Sequence, residues 1–186
     1  MTGKFVVVTG PSASGKTSIV DALLKQVPNS TRLVTCTTRK KRPHEQEGDH
    51  YHFLSREEFE KRAQEGEFFE QAEVYGNLYG SSKKVLDEEL AKDAYVFGVI
   101  DVQGAQTIKK RLPDTFVLFM KPANVEDVFR RLKEERKETH PEELAKRIEI
   151  TKHELELAST FDAVVENVDG KFDETLAKVR AILGIK

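Results

Sequence analysis

Apolar residues along this chain fall in short runs that alternate with segments of helical spacing. Phe5–Thr9, Tyr95–Ile100 and Thr115–Met120 have strand length, and helix-like stretches follow them over 16–25, 102–112 and 125–137. A last unit joins Ala163-Val164-Val165 to Phe172, Leu176, Val179 and Leu183, which are spaced for one face of a helix. This alternation predicts parallel strands joined by helical crossovers. Two regions interrupt it. Residues 32–81 read as short strands plus one helix, with Gly48, Gly66, Gly76 and Gly80 as breaks. That helix starts at Ser55, with Glu58 placed for a capping box and Leu54 and Phe59 for a hydrophobic staple. Residues 124–160 are helical and heavily charged, and Pro141 marks a break or a helix start. The expected organisation is one domain. Its core covers 1–33, 82–123 and 161–186, with an insertion over 34–81 and a lid over about 124–160.

Composition narrows the function classes. With 38% hydrophobic residues the chain can bury a core, and 33% charge implies a strongly ionised surface. The net charge of −2 speaks against a general nucleic-acid or membrane-surface binder, although a local phosphate site needs only a few placed cations. Cys36 is the single cysteine, so no intrachain disulfide forms, and a reducing compartment is expected. No run approaches a membrane span and no basic, apolar leader is seen, which makes the cytoplasm the expected location. The five histidines are scattered without metal-ligand spacing.

The chemistry begins at Gly10-Pro11-Ser12-Ala13-Ser14-Gly15-Lys16-Thr17, which fits G-x-x-x-x-G-K-[ST] between an apolar strand and a helix. Glycines let the backbone curl so that successive N–H groups face a polyphosphate, and the helix adds the positive end of its dipole. Lys16 is expected to reach the β- and γ-phosphates and the Thr17 hydroxyl to hold Mg²⁺. Ala13 in this loop is tolerable only if its φ is negative.

A second set runs Thr35-Cys36-Thr37-Thr38-Arg39-Lys40-Lys41-Arg42-Pro43, then Glu47-Gly48-Asp49-His50-Tyr51-His52-Phe53. Glu67-Phe68-Phe69-Glu70, Tyr75-Gly76-Asn77-Leu78-Tyr79-Gly80-Ser81 and Ile100-Asp101-Val102-Gln103-Gly104 follow. With the phosphate loop, the pattern T-T-R-x-x-R-x-x-E-x-x-G-x-x-Y-x-F and the G-N-x-Y-G run closely resemble the guanylate kinases from Phe5 to the last helix. The resemblance implies a three-layer α/β P-loop NTPase fold with a parallel sheet, a small, mostly β insertion that binds the nucleoside monophosphate, and a helical lid. It implies the reaction ATP + GMP ⇌ ADP + GDP with Mg²⁺, dGMP use left open, in a monomer or a homodimer.

Residue chemistry agrees with these roles. Arg39 and Arg42 offer planar, permanently charged forks for the acceptor phosphate, and Tyr51 and Tyr79 add phenol donors. Guanine presents N1–H and N2–H beside the O6 acceptor, so a carboxylate accepts from both donors, whereas adenine has an acceptor at N1. By resemblance Glu70 is that carboxylate, with Thr35 near O6, Ser81 near the base and Asp101 near N2. Ser81 is also a candidate N-cap for a helix over 82–92. Arg131, Arg136 and Arg147 align with family lid arginines that neutralise the transferring phosphoryl group. Asp127–Arg131 and Glu143–Arg147 also have the i, i+4 spacing of ordinary helix pairs. Asn167, in Val165-Glu166-Asn167, resembles the asparagine that contacts the ATP adenine.

The chain departs from the family pattern at Val99, where an acid commonly serves Mg²⁺ or its water shell. It also departs at Val168, where aspartate is usual, and in the longer, more charged Glu134-Glu135-Arg136-Lys137. Two other readings stand beside the kinase. One is a catalytically silent module that binds a phosphorylated ligand or peptide through Arg39, Arg42, Tyr51 and Tyr79. The intact Gly15, Lys16 and Thr17 argue against it. The other is a kinase for a sugar phosphate, against which Glu70 and Thr35 argue.

Overall fold

The computed structural model describes residues 3–43, 45–134 and 141–185. In chain order the first elements are β1 (Lys4–Thr9), α1 (Lys16–Gln26), β2 (Ser30–Arg32), β3 (Thr35–Thr37), β4 (Tyr51–Phe53), α2 (Arg56–Gln64), β5 (Phe68–Val74), β6 (Asn77–Ser82) and α3 (Lys83–Lys92). They are followed by β7 (Tyr95–Val99), α4 (Val102–Arg111), β8 (Phe116–Pro122), α5 (Val125–Glu134), α6 (Pro141–Glu156), β9 (Ala163–Asn167) and α7 (Phe172–Leu183). The main sheet has the strand order β2-β7-β1-β8-β9. The chain divides into two compact units, Met1–Val7 with Pro28–Phe116 and Val8–Val27 with Val117–Lys186.

In the first unit β2 pairs with β7 in parallel, Ser30 opposite Tyr95. In the second, β8 pairs with β9 in parallel, from Leu118 opposite Ala163 to Pro122 opposite Asn167. Val117, Leu118, Phe119 and Met120 are all fully buried. A continuous apolar run of this kind belongs to a strand covered on both faces, which is why it lacks polar alternation. The expected parallel α/β arrangement is what the chain forms.

The first unit also holds a second sheet, ordered β4-β3-β6-β5. Here β3 and β4 are parallel, whereas β6 runs antiparallel to both β3 and β5. Tyr75 and Gly76 carry positive φ values of 50° and 73°, the geometry of a two-residue hairpin turn between Val74 and Asn77. Ser55 caps α2 as expected, its hydroxyl accepting the Glu58 N–H at 3.1 Å. The cap of α3 corrects the sequence reading: Ser82, not Ser81, accepts from the Val85 N–H. Ser81 is thereby left to the site.

In the second unit α6 spans Pro141–Glu156, and the residues just before it lie outside those described. Val128 and Leu132 of α5 pack with Leu144 of α6, and Ala13 lies against this cluster.

Candidate active site

The phosphate loop lies wholly within the second unit. Gly15 caps α1 at a φ of 89°, and a Cβ there would sit 2.3 Å from the Asn167 amide nitrogen. Both the left-handed backbone and the close approach require glycine. Ala13 corrects the expectation of a negative φ, since it stands at 60°. Three contacts hold it there. Its methyl packs on the Val128, Leu132 and Leu144 cluster, its carbonyl accepts from Arg131 Nη1 at 2.8 Å, and the next carbonyl, that of Ser14, accepts from Asn167 Nδ2 at 3.0 Å. Lys16 Nζ donates to the carbonyls of Gly10 and Pro11 at 2.7 and 2.6 Å, which curls its side chain back over the loop. Thr17 is exposed in the first turn of α1.

Asn167 is buried in its role as a brace on the loop. Arg131 is likewise 8% exposed, and the expected Asp127–Arg131 pair gives way to two others. Arg131 pairs with Asp169, and Arg130 bridges Asp127 and the same Asp169. Asp169 went unnoticed in the sequence because its partners lie 38 and 39 positions away. Arg147 is half-buried on α6, and Arg136 lies outside the described residues.

The residues expected to bind the acceptor lie in the first unit. Thr35 and Tyr51 are opposite one another in the β3–β4 register, and Thr37 is opposite Tyr79 in β3–β6. The Tyr51 and Tyr79 rings meet edge to face at 6.0 Å. Arg39 lies over the rings of Tyr51 and Phe53, 5.4 and 5.8 Å from their centroids. Its guanidinium forks onto Glu45 at 2.7 and 3.1 Å, and Glu45 also accepts the Arg42 N–H at 2.8 Å. Burial opposes the charge on Glu45, but hydrogen bonds from Arg39 and Arg42 outweigh it and hold the carboxyl below its ordinary range. Burial also weakens the Arg42 cation, and neighbouring Arg39 adds to this. Glu45 was not singled out in the sequence. The signal was present, because it stands at the fixed acid of the T-T-R-x-x-R-x-x-E run and two adjacent arginines need a shared counter-charge.

Glu70 and Ser81 are directly opposite across β5 and β6, next to a bulge between Phe68 and Glu70. The extra residue breaks the alternation, so Phe69 and Glu70 both turn inward. Ser81 donates its hydroxyl to Glu70 Oε2 at 2.8 Å, while Oε1 is buried without a hydrogen-bond partner among the described residues. Burial pushes the Glu70 carboxyl up to about 7; Ser81 opposes this, the Asp101 carboxylate adds to it and Arg111 opposes it. Arg111, another residue not singled out in the sequence, is anchored on the Phe69 carbonyl. Asp101 is the N-cap of α4 and accepts the Gly104 N–H at 3.0 Å, a local role that the sequence reading did not include. Cys36 is buried in the middle of β3, and burial raises its thiol to about 11, as befits a packing residue.

Over nearly its whole length the chain is similar to known proteins. A family model described as guanylate kinase covers residues 2–185. Guanylate kinase from Thermotoga maritima is 38% identical over 183 residues, 97% of this chain and 88% of that protein. The Symbiobacterium thermophilum guanylate kinase is 40% identical over 181 residues, 97% of this chain and 84% of its own. The crystal structure of guanylate kinase from Anaplasma phagocytophilum superposes with a TM-score of 0.79 at 29% identity, covering 98% of this chain and 85% of that one. A shikimate kinase from Bacteroides thetaiotaomicron, 13% identical with a TM-score of 0.58, covers 98% of this chain and 99% of its own and shares the fold alone. Agreement across nearly the full length establishes that this chain belongs to the guanylate kinase family.

Proposed function

We propose that this protein transfers the γ-phosphoryl group of ATP to GMP, giving ADP and GDP. The observation that carries the choice of base is the buried, unpartnered Oε1 of Glu70 beside an Oε2 already engaged by Ser81. A carboxylate in that state accepts the N1–H and N2–H of guanine, and it meets an acceptor on adenine. Mismatched buried groups are left unpaired, which supports discrimination of about 10⁴-fold or more.

Phosphoryl transfer needs positioning and charge stabilisation more than covalent chemistry from the protein. Arg39, Arg42, Tyr51 and Tyr79 hold the acceptor phosphate, with Arg39 pre-aimed by Glu45. Gly10 through Thr17 cradle the donor phosphates, and Lys16 exchanges its two loop carbonyls for phosphate oxygens. Arg136 and Arg147 supply lid cations, and Arg131 and Asn167 brace the loop beneath the nucleotide. Thr17 fits Mg²⁺, because its hydroxyl is an exposed oxygen donor at the start of α1, the ligand type a hard cation takes. When bound with the triphosphate, the ion neutralises charge on the phosphate oxygens. No helix among the described residues is long and apolar enough to cross a membrane, and the buried free cysteine suits a reducing cytoplasm.

The test is ADP formation from ATP and Mg²⁺ with GMP, AMP, CMP, UMP or no acceptor. Turnover restricted to GMP is expected. Folded protein that binds ATP and yet transfers to none of them, or to all equally, would overturn the assignment.

A further inference from the structure

Gly104 is the third residue of α4, and its Cα faces the carboxylate of Glu70. A Cβ at this position would lie 2.4 Å from Glu70 Oε1, 3.0 Å from Glu70 Cδ and 2.8 Å from the Cγ2 methyl of Ile100. The backbone does not require glycine here. Gly104 is absent from the positive-φ positions, its N–H makes an ordinary capping bond to Asp101, and alanine is the better helix former. The approach of Glu70 does require it. That carboxylate has little room to swing aside, since it is 2% exposed, Ser81 holds its Oε2, and the adjoining Phe69 carbonyl is fastened to Arg111.

We propose that Gly104 is a specificity-determining position, whose missing side chain seats Glu70 Oε1 where it reads the guanine N1–H and N2–H. The inference rests on the assignment of Glu70 as the base reader. A methyl group at 104 drives the carboxylate either toward the space of the base or off its Ser81 hydrogen bond. Losing a charge-assisted hydrogen bond from the base to a displaced carboxylate weakens binding by about 10- to 100-fold. Adenine gains nothing from a carboxylate at its N1, so moving Glu70 narrows the preference for GMP. Gly104 is thus a positioning residue that acts through Glu70.

The experiment is calorimetric titration of GMP into the full chain and into Gly104→Ala, Glu70→Ala and the double variant, with thermal melts alongside. Gly104→Ala is expected to weaken GMP binding by about 10- to 100-fold. In the Glu70→Ala background the same change should have no effect on GMP, because the group it collides with is gone. The Ile100 contact persists in both backgrounds and shows in the melts alone. Wild-type affinity in Gly104→Ala, or an equal loss in both backgrounds, would overturn the proposal while leaving Glu70 as base reader. Glu70→Ala binding GMP like wild type would instead remove the base-reading assignment and this inference with it. Should Gly104→Ala fail to fold, Gly104→Ala combined with Ile100→Ala relieves the 2.8 Å contact and is read against Ile100→Ala alone.

Discussion

Arg39 and Glu45 meet fork to fork, with nitrogen–oxygen distances of 2.7 and 3.1 Å, and the guanidinium so held lies over the ring of Tyr51. A long cationic side chain is thereby ordered before any phosphate arrives, which removes part of the entropy that binding would otherwise spend. The carboxylate itself is nearly buried, with its side chain 4% exposed.

Glu45→Ala is therefore expected to raise the KM for GMP by about tenfold, the equivalent of one charge-assisted hydrogen bond. Stability should fall by about 1–3 kcal/mol, because two half-buried arginines lose their counter-charge. Steady-state kinetics and urea melts measure the two effects, and Glu45→Gln, which keeps one acceptor, should fall between. An unchanged KM for GMP would show that Arg39 is aimed without Glu45.

Glu70 makes the site sensitive to pH in two opposite directions. Its carboxyl stands at about 7 against an ordinary 4.5, so in the nucleotide-free fold it keeps a proton that the unfolded chain gives up. Its contribution to stability is complete below about 4.5 and is lost as pH rises through about 7. A shift of this size corresponds to roughly 3 kcal/mol. Without nucleotide, Glu70→Gln should raise the unfolding free energy relative to wild type at pH 8, and much less at pH 5. On the proposed reading, guanine binding runs the other way, because it needs the carboxylate. GMP affinity should climb with pH up to about 7 and level off above it. The GMP phosphate also titrates, near about 6, so the Glu70 component is the part of the profile that Glu70→Gln abolishes. Identical profiles in the two proteins would rule it out.

Arg131 ties α5 to the phosphate loop through the Ala13 carbonyl and to the β9–α7 turn through Asp169. Ala13 sits at a φ that an L side chain adopts at a cost of about 1–2 kcal/mol, and this tie helps to hold it. Arg131→Ala should weaken binding of a nonhydrolysable ATP analogue by about tenfold and lower stability by about 1–3 kcal/mol. Asp169→Asn keeps the Ala13 contact and should do about half of that damage. GMP affinity measured alone should not move. If ATP-analogue binding survives Arg131→Ala, the loop is held by Asn167 and Ala13 packing instead.

How much of this was legible in the sequence depends on how local each determinant is. The cap at Ser55 follows from a few neighbouring residues and stood where the pattern put it. The cap of α3 shifted by one residue because Ser81 and Ser82 are equivalent as local signals. Only the cross-strand position of Ser81 opposite Glu70 separates them. Asp101 was not read as the cap of α4, although a carboxylate three residues before Gly104 carries that local signal.

The sequence by itself determined the alternation of strand and helix, the phosphate loop and the family. These are written in periodicity and in motifs whose members are close along the chain. Only the tertiary structure decided which partners the polar groups take: Arg131 with Asp169 and Ala13, Arg39 with Glu45, and Glu70 against the bare backbone of Gly104. The reason is physical. Hydrogen bonds and van der Waals exclusion act over a few ångströms in space, and the fold brings together groups such as Asn167 and Ser14, 153 positions apart in the chain.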